Sequence, residues 1–341
     1  MIALNRVFVT DCEGPISLND NAFEAAAHFI PDGDRFFRKV SEFDDILADE
    51  IRRPGYNAGD TLKLIVPFLI AHGVTDEKLR EFSERTLRLV PGADETLKLA
   101  GRLMPSYIVS TSYRHYIEAL CRHLDFSLEN TRHTTLTLDV EIPPEEREML
   151  MRLTEDVIEG DFEDLDEIFF HIIPGMEAGK ILHGVKTVGG DGKRVALMEI
   201  LSELELPPES AMYVGDSITD VEPLRELNGR GLAVSFNGNR YALREAEVAV
   251  ISTDSRALTP LIDLHSRFGR NYILEFIRAY SENPERALES FRIDFRVVDE
   301  FRRVFREEYP IITLIDDPED LLDASMEVRK NIRGEDVGSL G

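Results

Sequence analysis

The chain has no tryptophan, only two cysteines and no long apolar run. Cys12 and Cys121 alone cannot form a disulfide framework, and no Cys/His cluster has zinc-site spacing, so a reducing cytoplasm is the expected compartment. The longest apolar stretch, Leu62–Ala71, is broken by Lys63 and Pro67. It falls far short of the roughly 20 residues a membrane helix needs. Met1–Thr10 contains Asn5 and Arg6 and runs into a strand-like segment, so it is not read as a signal peptide. Basic residues are also scarce: 39 Lys and Arg stand against 65 Asp and Glu, for a formal charge of −26. Such a surface repels nucleic-acid backbones and anionic lipid, so neither is an expected partner. An anionic substrate would need local cations to bring it in.

What is present describes a globular protein. Its 341 residues, 43% hydrophobic, suffice for two compact units or one core with large insertions. Met1–Thr10, Pro105–Val109, Ala211–Val214, Leu232–Phe236 and Ala246–Ile251 read as short apolar strands, and Thr134–Ile142 as an edge strand or hairpin arm. Helical patterns fill Asn19–Leu89, Tyr113–Leu124, Lys193–Leu204 and Val221–Leu227, and everything after about Pro260, with a polar, frayed end at Asn331–Gly341. Strands alternating with helices predict an α/β fold: a Rossmann-like three-layer α/β/α core with a parallel sheet. In such sheets ligands bind beyond the carboxyl ends of strands. Asp11, Ser110 and Asp216 each follow a short apolar strand, and so are expected there.

Phosphoryl transfer through a carboxylate needs a free Asp, a divalent metal, a proton donor for the leaving oxygen, and donors or cations for the phosphoryl oxygens. Four segments supply candidates. Val7-Phe8-Val9-Thr10-Asp11-Cys12-Glu13-Gly14 resembles the first motif of the haloacid dehalogenase-like superfamily. Ile108-Val109-Ser110-Thr111 looks like its second motif, Lys193 at a helix start its third, and Gly215-Asp216-Ser217-Ile218-Thr219-Asp220 its fourth. Leu89-Val90-Pro91-Gly92-Ala93 and Ala233-Val234-Ser235-Phe236-Asn237 are similar to elements of the phosphoserine phosphatase-like branch.

The resemblance implies a Mg²⁺-dependent phosphatase of a small phosphorylated metabolite. Asp11 would be the nucleophile, Glu13 the general acid and base, and Lys193 the cation shared by Asp11 and the phosphoryl group. Ser110, Thr111 and Asn237 would bind substrate, and Asp11, Glu13, Asp216 and Asp220 would hold or support the metal. It also implies a catalytic core at 1–16 and 90–262 carrying an acidic insert at about 141–192, a helical cap at 17–89, and a helical C-terminal extension at 263–341. Most phosphatases of the superfamily have Asp where this chain has Glu13. Glu reaches about one methylene further, which leaves transfer to a small alcohol open beside hydrolysis. A catalytically silent binding protein on the same fold is the reading from another class. It is disfavoured by the presence of Asp11, Lys193, Asp216 and Asp220 together.

Each residue also has a plain structural reading. Asp220 could cap the helix before Val221, Ser110 could cap the next helix, and Asn237 could be a turn residue. Lys180 and Lys186 rival Lys193. In the cap, Arg52, Arg53 and Tyr56 could meet substrate but read more simply as a solvated loop, and Asp20 fits a contact to a substrate amine and a helix cap equally well. The acidic run Glu145–Asp166 reads as a solvated helical face. The eight histidines show no metal spacing, and no residue pattern specifies the substrate or the oligomeric state.

Overall fold

The computed structural model describes residues 5–340, so Met1–Leu4 of the first predicted strand and Gly341 lie outside it. The fold is α/β, as expected. A seven-stranded sheet has the order β3-β2-β1-β4-β5-β6-β7. The strands are β1 (Val7–Thr10), β2 (Ser106–Tyr113), β3 (Thr131–Thr134), β4 (Ala211–Gly215), β5 (Leu232–Phe236), β6 (Val248–Ile251) and β7 (Ile311–Leu314). β1 pairs in parallel with β2 and β4, and the ladder continues in parallel through β5 and β6. β7 closes the edge antiparallel to β6. Every residue of β1, β4, β5 and β6 is buried. That is why they read as continuous apolar runs and not as alternating ones: a parallel sheet is covered on both faces.

The chain divides into two compact units. The first comprises the chain up to Leu18 with Arg88–Val109 and Lys193–Ser339; the second comprises Asn19–Leu87 and Ser110–Gly192. In the first unit, helix Thr259–Arg267 packs on helix Ala93–Leu103, and helix Val221–Leu227 on helix Arg240–Glu245. The second unit is built around aromatic side chains. Phe36 meets Phe68 at a centroid distance of 4.7 Å, and Phe169 lies 6.0 Å from Phe68 and 5.9 Å from Phe43. No helix among the described residues is long and apolar enough to cross a membrane.

The structure departs from the sequence reading in four places. β2 runs on to Tyr113, so Ser110 and Thr111 lie within the strand and not after its end. Of Thr134–Ile142 only Thr134, the last residue of β3, lies in a strand, and Thr135 makes an isolated bridge to Lys186. After β3 its backbone is held by the carboxylate of Asp76, which accepts from the Leu138 amide at 2.9 Å and the Thr137 hydroxyl at 2.8 Å. Side-chain bonds of this kind offer the backbone an alternative to a ladder. β7 falls in a region read as wholly helical; only one of its four residues, Ile312, is fully buried, so its apolar signal is weak. Among the described residues the predicted frayed end is largely helical instead: a helix spans Glu319–Arg333, a short turn of helix follows at Glu335–Gly338, and Arg333 and Val337 are buried.

Candidate active site

Asp11 stands immediately after β1, and its amide donates to the Val214 carbonyl of β4 at 2.8 Å, extending the parallel ladder by one bond. Its carboxylate is 4% exposed at the residue level and accepts from the Cys12 amide at 2.6 Å. The chain then turns tightly: the Ile16 and Ser17 amides both donate to the Cys12 carbonyl, and the Gly14 amide donates to Ser17. Gly14 adopts φ +98°, and a Cβ there would fall 2.1 Å from Oδ2 of Asp216. Glycine is therefore required twice over, by conformation and by contact. Glu13 lies half-buried in this turn, bridged to Ser17.

Lys193 enters from the first turn of helix Asp191–Glu203 with no exposed surface. Its Nζ lies 2.7 Å from Asp11 Oδ2 and 2.8 Å from Asp220 Oδ1. The rivals Lys180 and Lys186 are exposed. Asp220 is equally buried and is the hub of the loop after β4. Its Oδ1 also accepts from the Tyr213 hydroxyl at 2.7 Å, and its Oδ2 accepts from the amides of Asp216 at 2.9 Å and Ser217 at 3.1 Å. Thus the Asp220 side chain makes no cap bond to the helix Val221–Leu227 that it precedes; it holds its own loop and pairs with Lys193. Gly215 is needed for this closure, since a Cβ would meet Asp220 Cγ at 2.5 Å.

Burial shapes the electrostatics. Desolvation pushes the Asp11 carboxyl up to about 8; Lys193 opposes the shift, and the charges of Asp220 and Asp216 add to it. Burial draws the Lys193 ammonium down, but Asp11 and Asp220 outweigh that and hold it above its ordinary value. Burial beside Asp220 raises the Tyr213 phenol well above its usual range, so it stays a donor.

Asp11, Asp216 and Asp220 each bring a carboxylate oxygen within 4.8 Å of the others. An all-carboxylate, buried donor set suits a hard divalent cation such as Mg²⁺. The sequence reading missed what meets Asp216. Arg329 and Arg333, from helix Glu319–Arg333, both direct Nη1 at Asp216 Oδ2; the Arg333 contact is 3.0 Å. Arg329 also donates to the Asp216 carbonyl at 3.2 Å. The available signal was the spacing Ser325, Arg329, Arg333, one position per helical turn, in a segment read as helical up to Lys330 and as frayed beyond it.

The remaining predicted residues sit as follows. Asn237 is buried at the end of β5 with φ +48°, and its carboxamide is engaged by the Ser252 backbone: Nδ2 donates to the carbonyl at 2.7 Å and Oδ1 accepts from the amide at 2.9 Å. In the second unit, Ser110 Oγ accepts from the Ser112 amide at 3.1 Å, while Thr111 Oγ1 is buried with no hydrogen-bond partner among the described residues. Also in that unit, Asp20 caps helix Asn21–Phe29 by accepting from the Phe23 amide. Tyr56 donates to Asp44 at 2.6 Å, and Arg53 pairs with Asp166 while lying 3.7 Å over the Phe170 ring.

No family model and no curated protein matches the chain. Among solved structures it is similar to gene product AF1437 from Archaeoglobus fulgidus, with a TM-score of 0.78 and 28% identity over 99% of each chain. A substrate-bound phosphoserine phosphatase complex aligns with a TM-score of 0.48 and 15% identity, covering 74% of this chain and 96% of that one. A HAD family hydrolase, t0658 from Salmonella enterica, gives 0.46 and 11%, covering 70% and 65%. The fold shared with the Archaeoglobus protein is α/β, built on a largely parallel sheet. Within it, the first and fourth motifs close adjacent parallel strands, β1 and β4, and Lys193 joins their carboxylates.

Proposed function

We propose that the chain is a Mg²⁺-dependent phosphatase that hydrolyses a small phosphomonoester through a phosphorylated Asp11. The observation that carries this reading is the Asp11–Lys193–Asp220 chain of buried ion pairs beside Asp216, at the carboxyl ends of β1 and β4. A lysine with no exposed surface, bonded to two carboxylates, is costly to bury unless it has work to do.

In the first step the Asp11 carboxylate attacks phosphorus, the bond from phosphorus to the ester oxygen breaks, and Glu13 donates a proton to the departing alcohol. In the second, Glu13 takes a proton from water, whose oxygen attacks the aspartyl-phosphate and frees Asp11 and inorganic phosphate. Lys193 holds Asp11 in place and opposes the desolvation that otherwise favours its neutral form. Mg²⁺, held by Asp11 and Asp216 with a Glu13 backbone oxygen, would neutralise charge on the phosphoryl group and favour ionised Asp11. Asp220 belongs to the support: its four donors fill the roughly four acceptor positions a carboxylate has. Ser110 and Thr111 are the proposed substrate donors, with the unpartnered Thr111 hydroxyl the freer of the two. Asn237, with its carboxamide engaged by Ser252, acts through the loop it holds.

Glu13 favours a second outcome, transfer of the phosphoryl group from Asp11 to a small alcohol in place of water. The test is turnover of a panel of small phosphate esters with and without Mg²⁺, following phosphate release and labelled phosphoenzyme. Asp11→Asn should abolish both; activity surviving in that variant would remove Asp11 as nucleophile. Homoserine or glycerol should divert product from free phosphate only if transfer operates.

A further inference from the structure

The helix Glu319–Arg333 is attached to the first unit in an unusual way. Its only fully buried residues are Ser325, Arg329 and Arg333, one per turn on one face. No aliphatic side chain of the helix is fully buried; Leu321, Leu322, Met326, Val328 and Ile332 are all partly exposed. The anchoring is polar instead. Ser325 Oγ donates to the Gly238 carbonyl at 2.7 Å, Arg333 Nε donates to the Leu18 carbonyl at 3.2 Å, and both arginines reach Asp216. The terminal turn folds back on the same helix. Arg329 Nε donates to the Gly338 carbonyl at 3.1 Å, and a Cβ at Gly338 would lie 2.8 Å from Lys330 Cα, so only glycine lets the two segments approach. Helix and turn therefore form one body, preceded by the exposed Asp316 and Asp317.

The charge balance says what this body does. With Asp11 ionised, as its proposed attack requires, Asp11, Asp216 and Asp220 with Lys193 alone would sum to −2, the deficit a divalent cation fills. Arg329 and Arg333 supply the same two positive charges, with side chains only 3% and 4% exposed. From this we infer that the C-terminal helix is a displaceable arginine plug: Arg329 and Arg333 occupy Asp216 in place of a divalent metal, and metal binding releases them. The inference rests on the reading of Asp11 and Asp216 as a metal site. A helix docked by apolar side chains would not give way. This one is held largely through the carboxylate for which the metal competes.

The test joins two measurements on the full chain. Backbone hydrogen exchange across Glu319–Arg333 is followed with and without Mg²⁺, and the Mg²⁺ Kd is measured calorimetrically for the wild type and for Arg329→Met with Arg333→Met. We expect exchange in the helix to accelerate at least tenfold on adding Mg²⁺, and the double variant to bind Mg²⁺ at least tenfold more tightly. Unchanged or increased protection in a wild type that binds Mg²⁺ overturns the plug and leaves the metal site standing. Weaker metal binding in the double variant does the same, making the arginines positioning residues for Asp216. Absence of Mg²⁺ binding to either protein removes the metal site and the plug together. If the double variant does not fold, the exchange measurement on the wild type decides alone.

Discussion

Asp220→Asn should destabilise the first unit far more than loss of one surface carboxylate would. Asp220 has no exposed surface and accepts four bonds: Lys193 at 2.8 Å and Tyr213 at 2.7 Å on Oδ1, and the amides of Asp216 and Ser217 at 2.9 and 3.1 Å on Oδ2. All four partners are donors. An asparagine amide can satisfy two of them through its oxygen; whichever way it turns, its NH2 group faces the other two. Two buried donors left unpaired cost about 1–3 kcal/mol each, and breaking a buried ion pair costs about 3–5 kcal/mol. These overlap, so about 3–5 kcal/mol is expected in total, against the roughly 5–15 kcal/mol that holds a domain folded. For a unit of this size the midpoint should fall by on the order of 10 °C in thermal unfolding followed by circular dichroism. Tyr213→Phe, which deletes one donor, should cost about 1 kcal/mol. Combined, the two substitutions should cost less than their sum, because Tyr213→Phe removes a donor that Asp220→Asn leaves unsatisfied. An Asp220→Asn protein within about 1 kcal/mol of wild type, or strict additivity of the pair, would refute the hub role of Asp220.

Two further outcomes follow from the geometry. Gly14→Ala forces a positive-φ backbone and puts a methyl 2.1 Å from Asp216 Oδ2. It should cost more than about 1 kcal/mol and abolish any Mg²⁺-induced rise in melting temperature, as differential scanning fluorimetry would show. Burial, reinforced by Arg6, pushes His265 down to about 4, so the folded state binds fewer protons than the unfolded chain between there and the ordinary 6.5. Its contribution to stability is whole above that upper value and is lost as pH falls through the window, about 2 kcal/mol by pH 5. Urea unfolding at pH 7 and pH 5 should show that loss, and His265→Gln should flatten the slope between them.

The cluster of Asp11, Lys193 and Asp216 was legible because its signal is local. A buried parallel strand is a run of apolar residues, and the polar residues at its end stand where the run stops. Val7–Thr10 and Ala211–Gly215 deliver Asp11 and Asp216 in this way, and a helix start delivers Lys193. Pairing needs little beyond strand order to bring these together. Asp220 could not be decided from sequence, because a carboxylate before a helix looks the same whether it caps that helix or, as here, holds the preceding loop and pairs with Lys193. The arginines were illegible for a different reason. They are more than 300 residues from Asp11 along the chain, and their helix buries a polar face, so the apolar periodicity that reveals a docked helix is missing. Thr134–Ile142 failed in the opposite sense. Its alternation was that of a strand, but Asp76, some 60 residues away, takes the backbone amide a ladder would use.

The plug also bears on how tightly metal can bind. Two guanidiniums and one divalent ion carry equal charge, so exchanging them at Asp216 leaves the Coulombic balance of the buried site nearly unchanged. Tethering then decides the competition. A cation on a short flexible connection competes at an effective concentration on the order of millimolar, and lengthening the connection lowers that value roughly as the −3/2 power of length. The segment between β7 and the helix, Ile315–Pro318, is short and partly exposed, and can be lengthened without touching any residue at the carboxylates. A Gly-Ser insertion after Asp317 that triples the connection should therefore tighten the apparent Mg²⁺ Kd by roughly fivefold, with the sheet and the Asp11–Lys193–Asp220 contacts intact. Added salt should change this little, because buried pairs are weakly screened. A lengthened connection that leaves the Mg²⁺ Kd where it was would mean that the arginines and the metal do not compete for Asp216.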